Sequence, residues 1–209
     1  MRKPILMIRG VRVRIDCLSV LCLAAMLAAD PSVCTLLVLA AAFTHETGHL
    51  IALAAVKCRV REIRVCPVGA VIDAELATLS YTAELAVTVA GAAANAAAFA
   101  VCFPLGRCLD SRLLLFFAAA NAALAIVNLC PAKTLDGGRA LSLTLLLFLP
   151  PDKADAIADG VGDGSLLLLA ILCVRMIAAS GGNFSLLMFC VAVFLAGYAK
   201  EPTADTAHG

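Results

Sequence analysis

Apolar residues run along this chain in long blocks, separated by short polar or turn-forming clusters, and the length and period of each block predict its element. The first block, Ile15 to Ala29, follows Arg2, Lys3, Arg9, Arg12 and Arg14. Val11 and Val13 extend it, and no small-x-small cleavage site accompanies it, so it reads as a retained first helix and not as a signal peptide. Asp30-Pro31 then offers a capping carboxylate followed by proline at the first helical position, which predicts a second helix from there to about Val56. From Lys57 to Ser80 the period changes. Arg59, Arg61 and Arg64 interleave with Val60, Ile63 and Val65 around the turn-like Pro67-Val68-Gly69, the pattern of a β-hairpin.

The third block, about Thr82 to Leu105, is rich in alanine and places Gly91 and Asn95 four residues apart, a spacing that lets helices approach closely. The fourth runs from Arg112 to Asn128 and breaks at Leu129-Cys130-Pro131. A loop from Pro131 to Gly138, an apolar segment from Ala140 to Leu149 and a polar connection from Pro150 to Gly164 follow. Two last blocks, Ser165 to Ala179 and Phe184 to Tyr198, flank the turn Ser180-Gly181-Gly182-Asn183. The expected fold class is an all-α polytopic membrane protein: six transmembrane helices, a short membrane-associated β-hairpin and a broken helix. Residues 1–199 form one membrane-embedded core, and residues 200–209 a polar tail.

Composition agrees with that reading. Of 209 residues, 63% are hydrophobic and 15% charged, against about 45–50% and 25% in soluble domains, and the mean hydropathy is +1.00. A soluble enzyme, a disordered chain and a collagen-like repeat are excluded. A net charge of +1 with scattered basic residues also excludes a nucleic-acid binder, which needs a cationic surplus on one face. The 10 cysteines lie mostly inside apolar runs, form no CxxC pair and read as small packing residues. Lys57, Arg59, Arg61 and Arg64 after the second block, like the basic residues before the first, predict a multi-pass cell-membrane protein with both termini cytoplasmic. Arg107 and Arg112 would be outer exceptions. Without an internal repeat, a small metal or proton transporter built on paired halves is the weaker alternative.

The second helix contains His45-Glu46-Thr47-Gly48-His49, an HExxH sequence. Histidines at i and i+4 stand one turn apart on one face, so both imidazoles reach a single tetrahedral zinc, and Glu46 flanks them as a base for metal-bound water. In a chain with three histidines the pattern arises by chance about once in a thousand. Ionisable groups at membrane depth are costly and are rarely kept without a function.

A catalytic zinc takes three protein ligands and leaves one position open. His208 lies in the polar tail, so Asp136 is the better third ligand. It sits in Asn128-Leu129-Cys130-Pro131-Ala132-Lys133-Thr134-Leu135-Asp136-Gly137-Gly138-Arg139, a broken stretch of the kind tolerated at membrane depth only where protein buries it or water reaches it. At about 1.5 Å per residue, His45 lies roughly 21 Å along its helix from Pro31 and Asn128 roughly 24 Å from Arg112, so the two motifs meet at similar depth. Asn128 is a candidate catalytic residue, donating to an oxyanion, or else a cap on the broken helix. Asn95 lines the cavity or bonds between helices, Arg139 snorkels or caps a carbonyl, and Asp73 and Glu75 line an entry groove or sit on a solvated hairpin.

These residues resemble the site-2 protease family of intramembrane zinc metalloproteases (peptidase family M50). The likeness covers His45 to His49, Cys66-Pro67-Val68-Gly69-Ala70, Ala90-Gly91 to Asn95, and Asn128 to Gly138, in the family's order. It is closest to the sporulation-type branch, which processes an inactive sigma-factor precursor. The resemblance implies one Zn2+ held by His45, His49 and Asp136, Glu46 as catalytic base, a membrane-associated regulatory protein as substrate, and membrane partners that regulate cleavage. Thr134 stands where the family often has a second proline, and Ala92 where proline follows the glycine. A noncatalytic relative is the remaining alternative, against which the intact Glu46 argues.

Overall fold

Three serines start three of the helices. Ser32, Ser80 and Ser111 each keep an extended backbone while the hydroxyl accepts the amide of the residue three positions on, which satisfies one of the orphan donors of the first turn. The chain is described by a computed structural model over residues 6–8, 11–15, 17–66 and 69–179. Its elements in order are β1 (Leu6–Ile8), β2 (Val11–Ile15), α1 (Cys17–Ala29), α2 (Val33–Ala55), β3 (Val60–Cys66), β4 (Gly69–Ala74), α3 (Tyr81–Cys108), α4 (Arg112–Asn128), α5 (Asp136–Leu146) and α6 (Pro151–Ala179).

Four sequence expectations change. Asp30 is not the cap of α2: it accepts from the Ser32 amide at 3.2 Å and the Thr35 hydroxyl at 2.9 Å, bracing the cap from outside. Hydrogen bonds from Ser32 and Thr35 hold its carboxyl below the usual carboxylate range. Val11 and Val13 do not lengthen the first helix; they belong to β2, so α1 has 13 residues. The expected hairpin is half of a four-stranded sheet ordered β1-β2-β3-β4. The polar connection at 150–164 is helical, continuous with the apolar residues after it in α6. The last predicted span Phe184 to Tyr198, the turn at 180–183 and the tail at 200–209, His208 included, lie outside the described residues.

Within the sheet β1 pairs antiparallel with β2, β2 parallel with β3, and β3 antiparallel with β4. Register sets Arg12 beside Glu62 and Arg14 beside Arg64 on one face, and Val13 beside Ile63 on the other. Glu62 is buried. Its carboxylate lies 3.3 Å from Arg14 Nε, 3.4 Å from Arg64 Nη2 and 4.0 Å from Arg12 Nε.

The helical part is built inside out relative to a soluble protein. Its buried positions are held by small side chains, among them Ala41, Ala92, Ala118, Ala125 and Ala132, while Phe43, Ile51, Phe103, Ile126 and Leu168 face outward. Small residues at helix contacts and large apolar ones outside suit a protein whose surroundings are as apolar as its interior. Among the described residues two helices, α2 and α3, are long and apolar enough to cross a bilayer, and α4 is a shorter apolar helix.

α6 docks through Ala154, Ala158 and Gly162, buried at every fourth position. A Cβ on Gly162 would stand 2.8 Å from Lys133 Cγ, so the lysine stem lies across that glycine, and its Nζ reaches Asp159 and Asp163, each at 3.1 Å.

Candidate metal centre

α2 brings His45 and His49 one turn apart, and a glycine within the same turn brings α3 up against them. A Cβ on Gly48 would sit 2.5 Å from the Ala90 carbonyl oxygen and 2.7 Å from Ala94 Cβ, closer than packed atoms come. Across that contact Gly91 faces the two imidazoles: a Cβ there would lie 2.7 Å from His45 Cε1 and 2.8 Å from its Nε2, and would overlap His49 Nε2. The missing side chain is the space in which the ring nitrogens converge.

The third member arrives from the other side. α4 ends at Asn128, the chain turns through residues 129–135, and Asp136 opens α5. Gly137 and Gly138 press against the carbonyls of Leu129, Cys130 and Ala132, where a Cβ would overlap backbone. The double glycine thus folds the start of α5 tightly onto the loop and aims Asp136 inward. Arg139, one turn along, donates from Nε and Nη2 to Glu84 Oε1 at 3.2 and 2.5 Å, fastening α5 to α3. That pair replaces the carbonyl cap or snorkel expected of Arg139.

Asp136 Oδ2 lies 3.0 Å from His45 Nε2 and 3.1 Å from His49 Nε2, and the two Nε2 atoms are 3.2 Å apart. A tetrahedral zinc with bonds of about 2.0–2.1 Å has ligand atoms about 3.3 Å from one another, so this triangle matches one face of such a site. The donors match too. Two neutral imidazoles and a carboxylate are a zinc ligand set, and the three are the described residues that could hold a metal ion. His49 Nδ1 is 2.9 Å from the Val87 carbonyl oxygen, which makes Nδ1 the protonated nitrogen and leaves the Nε2 lone pair toward the centre.

Glu46 is half-buried beside His45 and lies within electrostatic reach of His49. The Asn128 amide donates to the Leu124 carbonyl one turn back at 3.0 Å. Asn95 is buried, and neither amide atom has a hydrogen-bond partner among the described residues, so the interhelical hydrogen bond expected of it is not formed there. Glu75 pairs with Arg61 at 2.9 Å, and Asp73 is exposed on β4. Gly91, the Val87 carbonyl and the Glu84–Arg139 pair were not expected as parts of the site. For Gly91 the available signals are its place four residues before Asn95 and the Ala90-Gly91 to Asn95 stretch of the family likeness.

Compared with known proteins, the chain has the fold of the solved site-2 protease from Methanocaldococcus jannaschii, with a TM-score of 0.68 and 20% sequence identity over 98% of each chain. No protein-family model and no curated protein sequence matches it.

Proposed function

We propose that this chain is an intramembrane zinc metalloendopeptidase of the site-2 protease type. The observation that carries the reading is the triangle of His45 Nε2, His49 Nε2 and Asp136 Oδ2, set in a bundle whose large apolar side chains face outward. Its site-2-protease-like fold supports the same reading.

His45, His49 and Asp136 would hold the ion, and zinc so bound supplies Lewis acidity to water and to a peptide carbonyl. Glu46 accepts the proton of the attacking water and returns it to the amine nitrogen of the departing peptide, so its carboxylate ends the cycle as it began. A substrate helix must unwind before its carbonyls are exposed. β4 is an edge strand of the sheet, and an extended peptide adds to such an edge by backbone hydrogen bonding. Asn128 is assigned to the developing oxyanion, for which its amide exchanges the Leu124 carbonyl for substrate. The full topology in this reading is six spans with both termini cytoplasmic. The substrates are membrane-associated regulatory proteins, an inactive sigma-factor precursor or an anti-sigma factor, with membrane partners controlling access.

The test compares wild type with Glu46→Gln, purified in detergent for zinc content and co-expressed with membrane-tethered substrates. Both proteins should carry zinc, and the variant should cleave at least about 10²-fold more slowly. Equal processing by the two removes the protease reading.

A further inference from the structure

His45 and His49 are not supported alike. His49 spends its outer nitrogen on the Val87 carbonyl, whereas Nδ1 of His45, whose residue is 8% exposed, is buried without a partner among the described residues. A ligating imidazole ordinarily donates its second N–H to an acceptor, which fixes the tautomer and the ring plane. The register of α2 on α3 relates His45 to the polar residues of α3. His49 meets both Val87 and Gly91, and His45, one turn earlier on α2, meets Gly91, so the two helices run antiparallel along this contact. The Gly91 carbonyl belongs to the α3 ladder. One turn further along the same face is Asn95, about 6 Å from Gly91.

Asn95 is 0% exposed, and neither its Oδ1 nor its Nδ2 has a partner among the described residues. The His45 ring packs on the glycine one turn before it: Cε1, bonded to both ring nitrogens, lies 2.7 Å from where a Gly91 Cβ would stand. His45 Nδ1 and the Nδ2 and Oδ1 of Asn95 are thus three buried polar atoms without a hydrogen-bond partner among the described residues, and Asn95 stands one turn of α3 from the glycine on which His45 packs. Buried water is retained where two to four polar groups converge.

We infer that Asn95 is a positioning residue for the metal centre: through one buried water its Oδ1 receives the hydrogen bond that the His45 Nδ1–H donates, which keeps the proton on Nδ1 and so holds Nε2 as the ligand. The inference rests on the zinc reading of the site. Asn121 on α4 is an internal control. It is equally buried, its Nδ2 donates to the Phe117 carbonyl and its Oδ1 is unpartnered, yet it is not on the α3 face that meets His45.

The test uses the full chain in detergent, with Zn2+ affinity measured by chelator competition and the histidine N–H resonances of 15N-labelled zinc-loaded protein recorded by NMR. Asn95→Leu should weaken Zn2+ binding about 10- to 100-fold. Asn95→Asp, which keeps the acceptor, should recover most of that loss, and Asn121→Leu should bind as wild type does. Wild type should show a solvent-protected Nδ1–H signal from His45 that Asn95→Leu lacks. Wild-type affinity in Asn95→Leu overturns the inference, as does equal weakening in all three variants or the absence of a protected His45 signal in the wild type. Failure of the wild type to bind Zn2+ overturns the metal reading itself, so the two failures are distinguishable.

Discussion

Gly91 lays its bare α-carbon against the His45 ring, with the site of a would-be Cβ 2.7 Å from Cε1 and 2.8 Å from Nε2. Because the same space overlaps His49, a methyl group there cannot be relieved by turning one ring. Gly91→Ala should therefore displace the ligands and weaken Zn2+ binding about 10- to 100-fold, the equivalent of an overpacking cost of about 1–3 kcal/mol. Gly160→Ala on α6, where nothing lies within 4 Å of the new carbon, should leave zinc unchanged and stabilise its helix by up to about 1 kcal/mol. Chelator competition and thermal unfolding of both variants check the pair. Unchanged affinity in Gly91→Ala would contradict the crowding argument.

Lys133 fastens the polar half of α6 to the loop that precedes Asp136. Hydrogen bonds to Asp163 and Asp159 raise its pKa above the ordinary lysine value, so this contribution is complete below about pH 10.4 and fades only as pH rises past the raised value. Near neutrality salt is the effective lever, since the groups are exposed and the screening length falls from about 10 Å at 0.1 M to about 3 Å at 1 M. High salt and Lys133→Ala should each speed amide exchange across residues 151–165, without adding to one another. Zinc content should stay at the wild-type level.

At the start of α2 the sign is reversed. The Asp30 carboxyl is held below its usual value by Ser32 and Thr35, so its bracing of the cap is present above the unfolded pKa, about 3.9, and is lost as pH falls through the lower folded value. Amide protection in the first turn of α2 should be flat from about pH 7 to 5 and fall below about pH 4. Thr35→Val, which removes the 2.9 Å bond, should shrink that fall. An equal acid transition in the variant would show that Asp30 is not its source.

What could be read from the sequence was whatever lay within one turn of helix or announced itself by punctuation. His45 and His49 share a face by spacing alone, and Asp136 stands out because proline and paired glycines bracket it. The strand β2 was missed although Val11, Val13 and Ile15 alternate with Arg12 and Arg14, because five residues with period two adjoin a long apolar block that dominates any window. The polar half of α6 reads as a loop, with glycines at 160, 162 and 164. It is helical because Ala154, Ala158 and Gly162 give it a smooth face on which Lys133 can lie. Gly91 and the Val87 carbonyl act through the register of α2 on α3, a relation that no local pattern encodes.

The parallel pairing of β2 with β3 has a consequence for assembly. β2 precedes α1 and its partner follows α2, so the two strands meet only after the chain has run through both helices and returned. The ladder that joins Arg12 to Glu62 is thus a late, non-local event: the strand that is synthesised early stays unpaired on that side until residue 60 and beyond have been made. Closing it ties the start of α1 to the end of α2, the helix that carries His45 and His49.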